Sequence, residues 1–303
     1  MQLPSRSLSL TPRDQAIIQM VYDYGGCGAQ HIHHRFWPPD SSLSACYRRL
    51  SRLIAGHYLV NWRLPSLTGQ GSGKSFLTLG LAGRRLIAVA HELPLRSLGR
   101  TDHVATPLFI AHHFAICDTR VAFEQAVERV PAIDLVSWTP ELKLRRHPMR
   151  VTDPVSHPAE RTSPETITLV PDGAFQLRVA GRSHTAYLEQ DMGTIAPKRL
   201  ARKLRGYLLA QKDIRRVTPI FFVTSSTSRE ERIAALAVSE AKRVGMTSSI
   251  FFVTTRGRVT ADTILQAPIW LQAGVATRAA IIPPGHTRAP EAQLVVSFEG
   301  GTR

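Results

Sequence analysis

Three carboxylates in one short stretch are the residues of this chain best placed to do chemistry. Asp172 follows Pro171 and opens an apolar-rich segment, Ala174 to Val179. Gly181-Arg182-Ser183 reads as a turn, and His184 to Leu188 as a second extended segment that ends on Glu189 and Asp191. If the two segments pair, the three acids converge at one end of a hairpin. Side chains along a strand alternate with a period of two, so Glu189 and Asp191 are expected on one face. Carboxylates brought together this way repel unless a proton or a cation intervenes. An all-oxygen ligand set of Asp172, Glu189 and Asp191 suits a hard divalent ion such as Mg2+ or Mn2+. A polar strand end facing solvent has the same spacing.

Two other stretches invite a chemical reading and do not hold it. Thr68-Gly69-Gln70-Gly71-Ser72-Gly73-Lys74 is close to a phosphate-binding loop, but Thr68 stands where that pattern needs its first glycine. Lys74 reads instead as a phosphate contact at the tip of a hairpin. His31, His33 and His34, and the pair His112 and His113, lack the spacing of four residues plus a third ligand that a helical metal site uses. They read as surface or satisfied core histidines. The cysteines Cys27, Cys46 and Cys117 are scattered and odd in number. That argues against a disulfide scaffold or a zinc ribbon and fits a reducing cytosol.

Composition sets the partner class. The chain has 303 residues, 43% of them hydrophobic, enough for two domains with real cores. Its formal net charge is +15, and of 38 basic residues only six are lysine. Such a balance suits a polyanion, nucleic acid before membrane, and arginine suits bidentate phosphate contacts. A GC-rich coding sequence gives the same arginine bias. The N-terminus has no apolar signal-peptide core and no run is long enough to span a bilayer, so a cytoplasmic protein without a membrane partner is expected.

The elements that must position these residues follow from local signals. Thr11-Pro12-Arg13-Asp14 opens a helix, with Thr11 as cap, Pro12 in the first turn and Asp14 at the positive end. Gly25-Gly26 ends it. A second helix covers Ala29 to Phe36, and a third runs from about 42 to 55 with Leu43, Leu50, Leu53 and Ile54 as its apolar stripe. Ser44, Tyr47, Arg48, Ser51 and Arg52 lie off that stripe. Tyr58 to Leu64 and Ser75 to Leu79 read as strands around the glycine-rich turn, and Leu81 to Ala90 as a helix. Three helices and a basic-tipped hairpin form the winged-helix plan, in which the third helix enters the major groove. Residues 1–95 carry ten Arg or Lys against four Asp or Glu, which favours DNA over a protein partner.

Further on, a short helix is expected from Pro107 to Cys117, and a separate one, capped by Asp118 or Thr119, up to Val130. Asp134 to Trp138 reads as a strand. Residues 145–166, rich in proline, charge and hydroxyls, read as a loop. After the acidic hairpin come a helix from Pro197 to Gln211, an Ile-Phe-Phe-Val strand from Pro219 to Val223, a helix from Ser228 to Val244, a second Ile-Phe-Phe-Val strand from Ile250 to Thr254, and a last helix from Ala261 to Leu271. Alternating strands and helices indicate a largely parallel sheet extending the hairpin. The expected domains are a winged helix over 1–95, a helical linker over 96–130 and an α/β domain over 131–303.

Pro171-Asp172, then Glu189-Gln190-Asp191 after 16 intervening residues, then a basic helix and a parallel βαβ unit resemble the PD-(D/E)xK nuclease core. The resemblance implies that Asp172 and Glu189 bind Mg2+ or Mn2+ and that a lysine helps activate water. Asp191 stands where that lysine belongs. Lys198 and Lys203, on the following helix, are the local candidates for its role. Lys203-x-x-x-Tyr207 is similar to the Gln-x-x-x-Tyr pattern of the RecB-like branch. Both side chains fall on one helical face. Arg199 and Arg202 on the same helix read as backbone contacts to DNA.

Taken whole, the chain resembles the replication-relaxation family of plasmid and mobile-element proteins. The matching residues are the Leu-Thr-Pro-Arg-Asp opening, Arg49-Leu50-x-x-Leu53 with Arg48, Trp138-x-x-Glu141, Pro171-Asp172-Gly173 and Glu189-x-Asp191-x-Gly193-Thr194. The resemblance implies a DNA-binding protein acting in replication or mobilisation, with a degenerate nuclease-like domain. A magnesium-dependent DNA nuclease or nickase, and an adaptor for other replication or transfer proteins, are the alternatives. The winged helix also raises the expectation of a homodimer.

Overall fold

The structure is a computed structural model that describes residues 9–38, 40–63, 75–98, 106–154, 165–212 and 218–282. The chain divides into two compact units, residues 1–118 and 119–303. The division falls between the expected boundaries at 95 and 130.

The first unit opens with α1 (Pro12–Tyr24), β1 (Cys27–Gly28), α2 (Ala29–Phe36) and α3 (Leu43–Ala55). Thr11 caps α1 as expected: its side chain accepts from the Asp14 amide, and the Asp14 carboxylate accepts from the Thr11 amide in return. Gly25 ends the helix at φ +71°, a conformation in which a Cβ is strained. Next come β2 (Leu59–Arg63), β3 (Ser75–Leu79) and α4 (Leu81–Ala90). The strands form a three-stranded antiparallel sheet in the order β1-β3-β2. β1 is too short to show in the sequence. It exists because Cys27 and Gly28 pair with Leu77 and Phe76. Lys74 and the glycine-rich turn lie outside the described residues.

The helix expected in two pieces around Asp118 is one, α5 (Pro107–Glu128). Asp118 and Thr119 look like a cap in sequence, but Thr119 is buried and the helical register continues through both. Propensity is a weak prior that packing overrides. In the first unit, Ile110 and Phe114 of α5 pack on Phe76, and His113 Nε2 lies 3.0 Å from the Tyr24 carbonyl oxygen.

The second unit contains β4 (Ile133–Pro140), α6 (Glu141–Leu144), β5 (Met149–Asp153), β6 (Glu165–Leu169), β7 (Gly173–Val179), β8 (Arg182–Gln190), α7 (Pro197–Leu209), β9 (Ile220–Thr224), α8 (Thr227–Val244), β10 (Phe251–Thr255), β11 (Trp270–Gln272) and β12 (Arg278–Ala279). Seven strands make one mixed sheet in the order β12-β11-β10-β9-β8-β7-β4. β7 and β8 form the expected antiparallel hairpin, and β8, β9 and β10 run parallel. One sheet face carries α7 and α8 on a core that includes Leu200, Leu204, Ile220, Phe222, Ile233 and Val253. On the other, Phe123 of α5 meets Phe175 at 4.6 Å between ring centroids, and Trp138 stacks on Phe175 at 5.5 Å.

Two expectations fail here. The stretch 145–166 is not a loop throughout: β5 and β6 pair antiparallel at its two ends. Buried Ile167 and Leu169 contribute to the α7 core, and a Cβ on Gly206 of α7 would sit 2.8 Å from Ile167 Cγ2. These strands are stabilised by a helix far along the chain, which local pattern does not reveal. Residues 261–271 are not a helix but turns leading into β11, because Leu271 and Gln272 pair with Val253 and Phe252.

Candidate functional site

The third helix presents the face its sequence promised. Cys46, Leu50 and Leu53 are buried, which stabilises by about 1.5–3 kcal/mol for each leucine. Ser44, Tyr47, Arg48, Ser51 and Arg52 are exposed, Tyr47 at 46%. Leu43, expected on the apolar stripe, is exposed, and Ile54 is half-buried. Arg49 turns inward to a bidentate pair with Asp14, whose residue is 0% exposed. Burial works to raise the Asp14 pKa, but hydrogen bonds from Arg49 and Thr11 outweigh it and hold the carboxyl below its usual value. The sequence marked Asp14 only as a helix-end charge. Its pairing across 35 residues carries no local signal.

The acidic site lies at one end of the large sheet. β4 ends at Pro140, which pairs with Gly173 at the start of β7, and Gly173 pairs with Leu188 of β8. This register sets Asp172 beside Glu189. The Asp172 carboxylate accepts the Gln190 amide at 2.7 Å. Glu189 is 2% exposed and has both oxygens engaged: Oε2 by the Lys203 ammonium and Oε1 by the Tyr207 hydroxyl. Lys203 and Tyr207 lie one turn apart on α7, as their spacing required.

Burial pushes the Glu189 pKa up to about 7. Lys203 pulls against that shift and Asp172 adds to it. Burial works to lower the Lys203 pKa, but the charges of Glu189 and Asp172 and the bond to Glu189 prevail, so it rises. Glu141, at the start of α6, adds a smaller effect of the same sign. Burial and the neighbouring Glu189 raise Tyr207 well above the usual tyrosine value. Lys203 therefore stays an ammonium and Tyr207 a neutral donor at neutral pH.

Asp191 does not join this group. Arg229 of α8 donates Nε to its Oδ2 at 2.8 Å and Nη2 to its Oδ1 at 2.9 Å. Thr224 Oγ1 and the Gly193 amide also donate to Oδ2. A second bond from Arg229 Nη2, 3.1 Å to the Ile195 carbonyl, ties down the chain between β8 and α7. Sequence reading missed Arg229, because the pair closes over 38 residues.

The other expected site residues scatter. Lys198 and Arg199 are exposed in the first turn of α7, and Arg202 donates to Glu165 and to the Thr166 carbonyl, both at 2.8 Å. Of the two candidate lysines, Lys203 reaches Glu189. Among the described residues, no three His, Cys, Asp or Glu side chains stand close enough together to hold a metal ion. A magnesium-type ion needs near-octahedral oxygen ligands. Asp172, Glu189 and Asp191 as arranged do not fit that requirement, because Asp191 belongs to Arg229 and Glu189 to Lys203 and Tyr207.

The replication-relaxation family model matches residues 18–216, about two thirds of the chain. The chain belongs to the replication-relaxation family. The family match takes in α3, Asp172, Glu189, Asp191, Lys203 and Tyr207, and stops short of Arg229. The Leu-Thr-Pro-Arg-Asp opening also lies outside it. Neither the curated proteins nor the solved structures contain a significant match. Among the described residues of this family member, no helix is long and apolar enough to cross a membrane.

Proposed function

We propose that the protein binds DNA in the replication or mobilisation of a plasmid or other mobile element. In this reading the first unit is a winged helix with α3 as its recognition helix. The second unit is a nuclease-like scaffold that contacts DNA or partner proteins of the replication or transfer complex without hydrolysing the strand. The exposed face of α3 carries the proposal. Short hydroxyls at Ser44 and Ser51, the phenol of Tyr47 and the guanidinium groups of Arg48 and Arg52 all face solvent on one amphipathic helix. Guanidinium groups read guanine edges or clamp phosphates bidentately, and hydroxyls serve both. The formal net charge of +15 supplies the long-range attraction.

Titration of labelled duplex DNA against salt tests the reading. Neutralising several phosphates makes log K fall linearly with log salt, by about 0.9 per phosphate. Weak binding with a flat salt response removes the proposal. Supercoiled plasmid incubated with Mg2+ or Mn2+ is expected to stay supercoiled. Nicking that disappears in Asp172→Ala would restore a hydrolytic role.

A further inference from the structure

The first unit has a second exposed face, on α4, and its composition is unlike that of α3. Leu81, Arg85 and Val89 fall four residues apart on one side of the helix, and all three are exposed. Val89, at 81%, is the most exposed large apolar side chain among the described residues. It also lines a groove between α4 and α1, together with Ala82 and Leu86 of α4 and Pro12 and Ala16 of α1. The two helices are joined at one end of α4, where His91 Nε2 lies 2.9 Å from Gln19 Oε1. An exposed apolar knob thus stands beside a slot walled by small and apolar side chains.

The charges on this face indicate what covers it. Among the described residues that line the groove, Arg85 alone is charged, so a polyanion finds little to hold. Glu92, just past the end of α4, is exposed, and its amide donates to the Val89 carbonyl at 3.3 Å. Among the described residues neither Arg85 nor Glu92 belongs to an ion pair. At a helical rise of 1.5 Å per residue, Arg85 lies about 6 Å before Val89 and Glu92 about 4.5 Å after it along the axis. A two-fold axis beside Val89 therefore sets two α4 helices antiparallel, with Arg85 of each copy opposite Glu92 of the other. A two-fold interface must be self-complementary, with the same patch supplying both halves of every contact. This patch does so twice, as knob and slot and as cation and anion.

We propose that the α1–α4 face is a two-fold dimer interface whose occupant is a second copy of this chain. Val89 of each copy enters the groove of the other, and the paired charges at its rim fix the antiparallel direction. Rim charges of this kind set register and orientation more than affinity. The interface is small, so the dimer belongs to the transient class, with a Kd of about 1 to 100 µM. The inference does not rest on DNA binding, and its test uses no DNA.

Sedimentation equilibrium of the full chain over that range is compared with Val89→Asp, Val89→Lys, Arg85→Glu, Glu92→Arg and the double swap Arg85→Glu/Glu92→Arg. Circular dichroism checks that each variant is folded. The native chain is expected to dimerise. Either Val89 variant is expected to raise Kd by roughly a hundredfold, since it places a charge in an apolar slot. Each single charge swap is expected to raise Kd by roughly tenfold, because the two-fold axis doubles the like-charge contact. The double swap is expected to return Kd to within about threefold of native, since it restores both pairs. A native chain that stays monomeric at about 100 µM overturns the proposal. So does a dimer that survives both Val89 substitutions, or a double swap that restores nothing. Should the Val89 variants fail to fold, the charge series decides the question alone.

Discussion

Arg229 and Asp191 form a two-pronged pair, 2.8 and 2.9 Å, with little of either side chain exposed. The pair joins the end of β8 to the first turn of α8 and fixes the segment that leads into α7. It therefore contributes to the placement of Lys203, although neither residue touches the Asp172–Glu189 site.

Breaking the Arg229–Asp191 pair from one side leaves a buried charge without its partner. Arg229→Ala is expected to cost about 3–5 kcal/mol in urea unfolding. Replacing both, Arg229→Met with Asp191→Leu, is expected to cost clearly less, since apolar residues of similar volume avoid the desolvation of two charges. Equal losses in the single and double variants would show that the pair acts through something other than charge compensation.

The Glu189 carboxyl has a folded-state pKa of about 7 against an ordinary 4.5. Between those values the folded state binds more protons than the unfolded state, so the contribution of this group is full below about 4.5 and is lost as pH rises toward 7. Urea unfolding measured across that window should show the native chain losing stability relative to Glu189→Gln. A difference that stays constant with pH would show that Glu189 titrates normally.

In the first unit, Arg49→Ala strands the fully buried Asp14 carboxylate and is expected to cost about 3–5 kcal/mol. Arg48→Ala, one residue away and exposed, is expected to change stability by less than about 0.5 kcal/mol. Thermal unfolding of the two variants side by side checks the contrast. Similar losses would contradict the inward and outward assignment of these neighbours.

The same surface variants separate docking from folding. Arg48→Ala and Arg52→Ala should each weaken DNA binding and lower the salt slope by about 0.9, while Arg232→Ala on the exposed face of α8 should leave both unchanged. Equal effects at all three positions would remove α3 as the recognition helix and leave only diffuse charge.

The sequence by itself determined the elements with strong local signals. Thr11-Pro12-Arg13-Asp14 carries a capping pattern, the two Ile-Phe-Phe-Val runs are short and made of β-branched and aromatic residues that suit buried strands, and the spacing of Lys203 and Tyr207 puts them on one helical face. These follow from backbone chemistry within a few residues. The strands β5 and β6, the unbroken course of α5 through Asp118 and Thr119, and the lack of a helix at 261–271 were decided by packing against distant segments. The carboxylates divided in the same way. Period two put Glu189 and Asp191 on one face, but which cation each would meet depends on where α7 and α8 dock. Only the tertiary structure brought Lys203 to Glu189 and Arg229 to Asp191, because side chains 14 and 38 residues apart leave no local trace of their pairing.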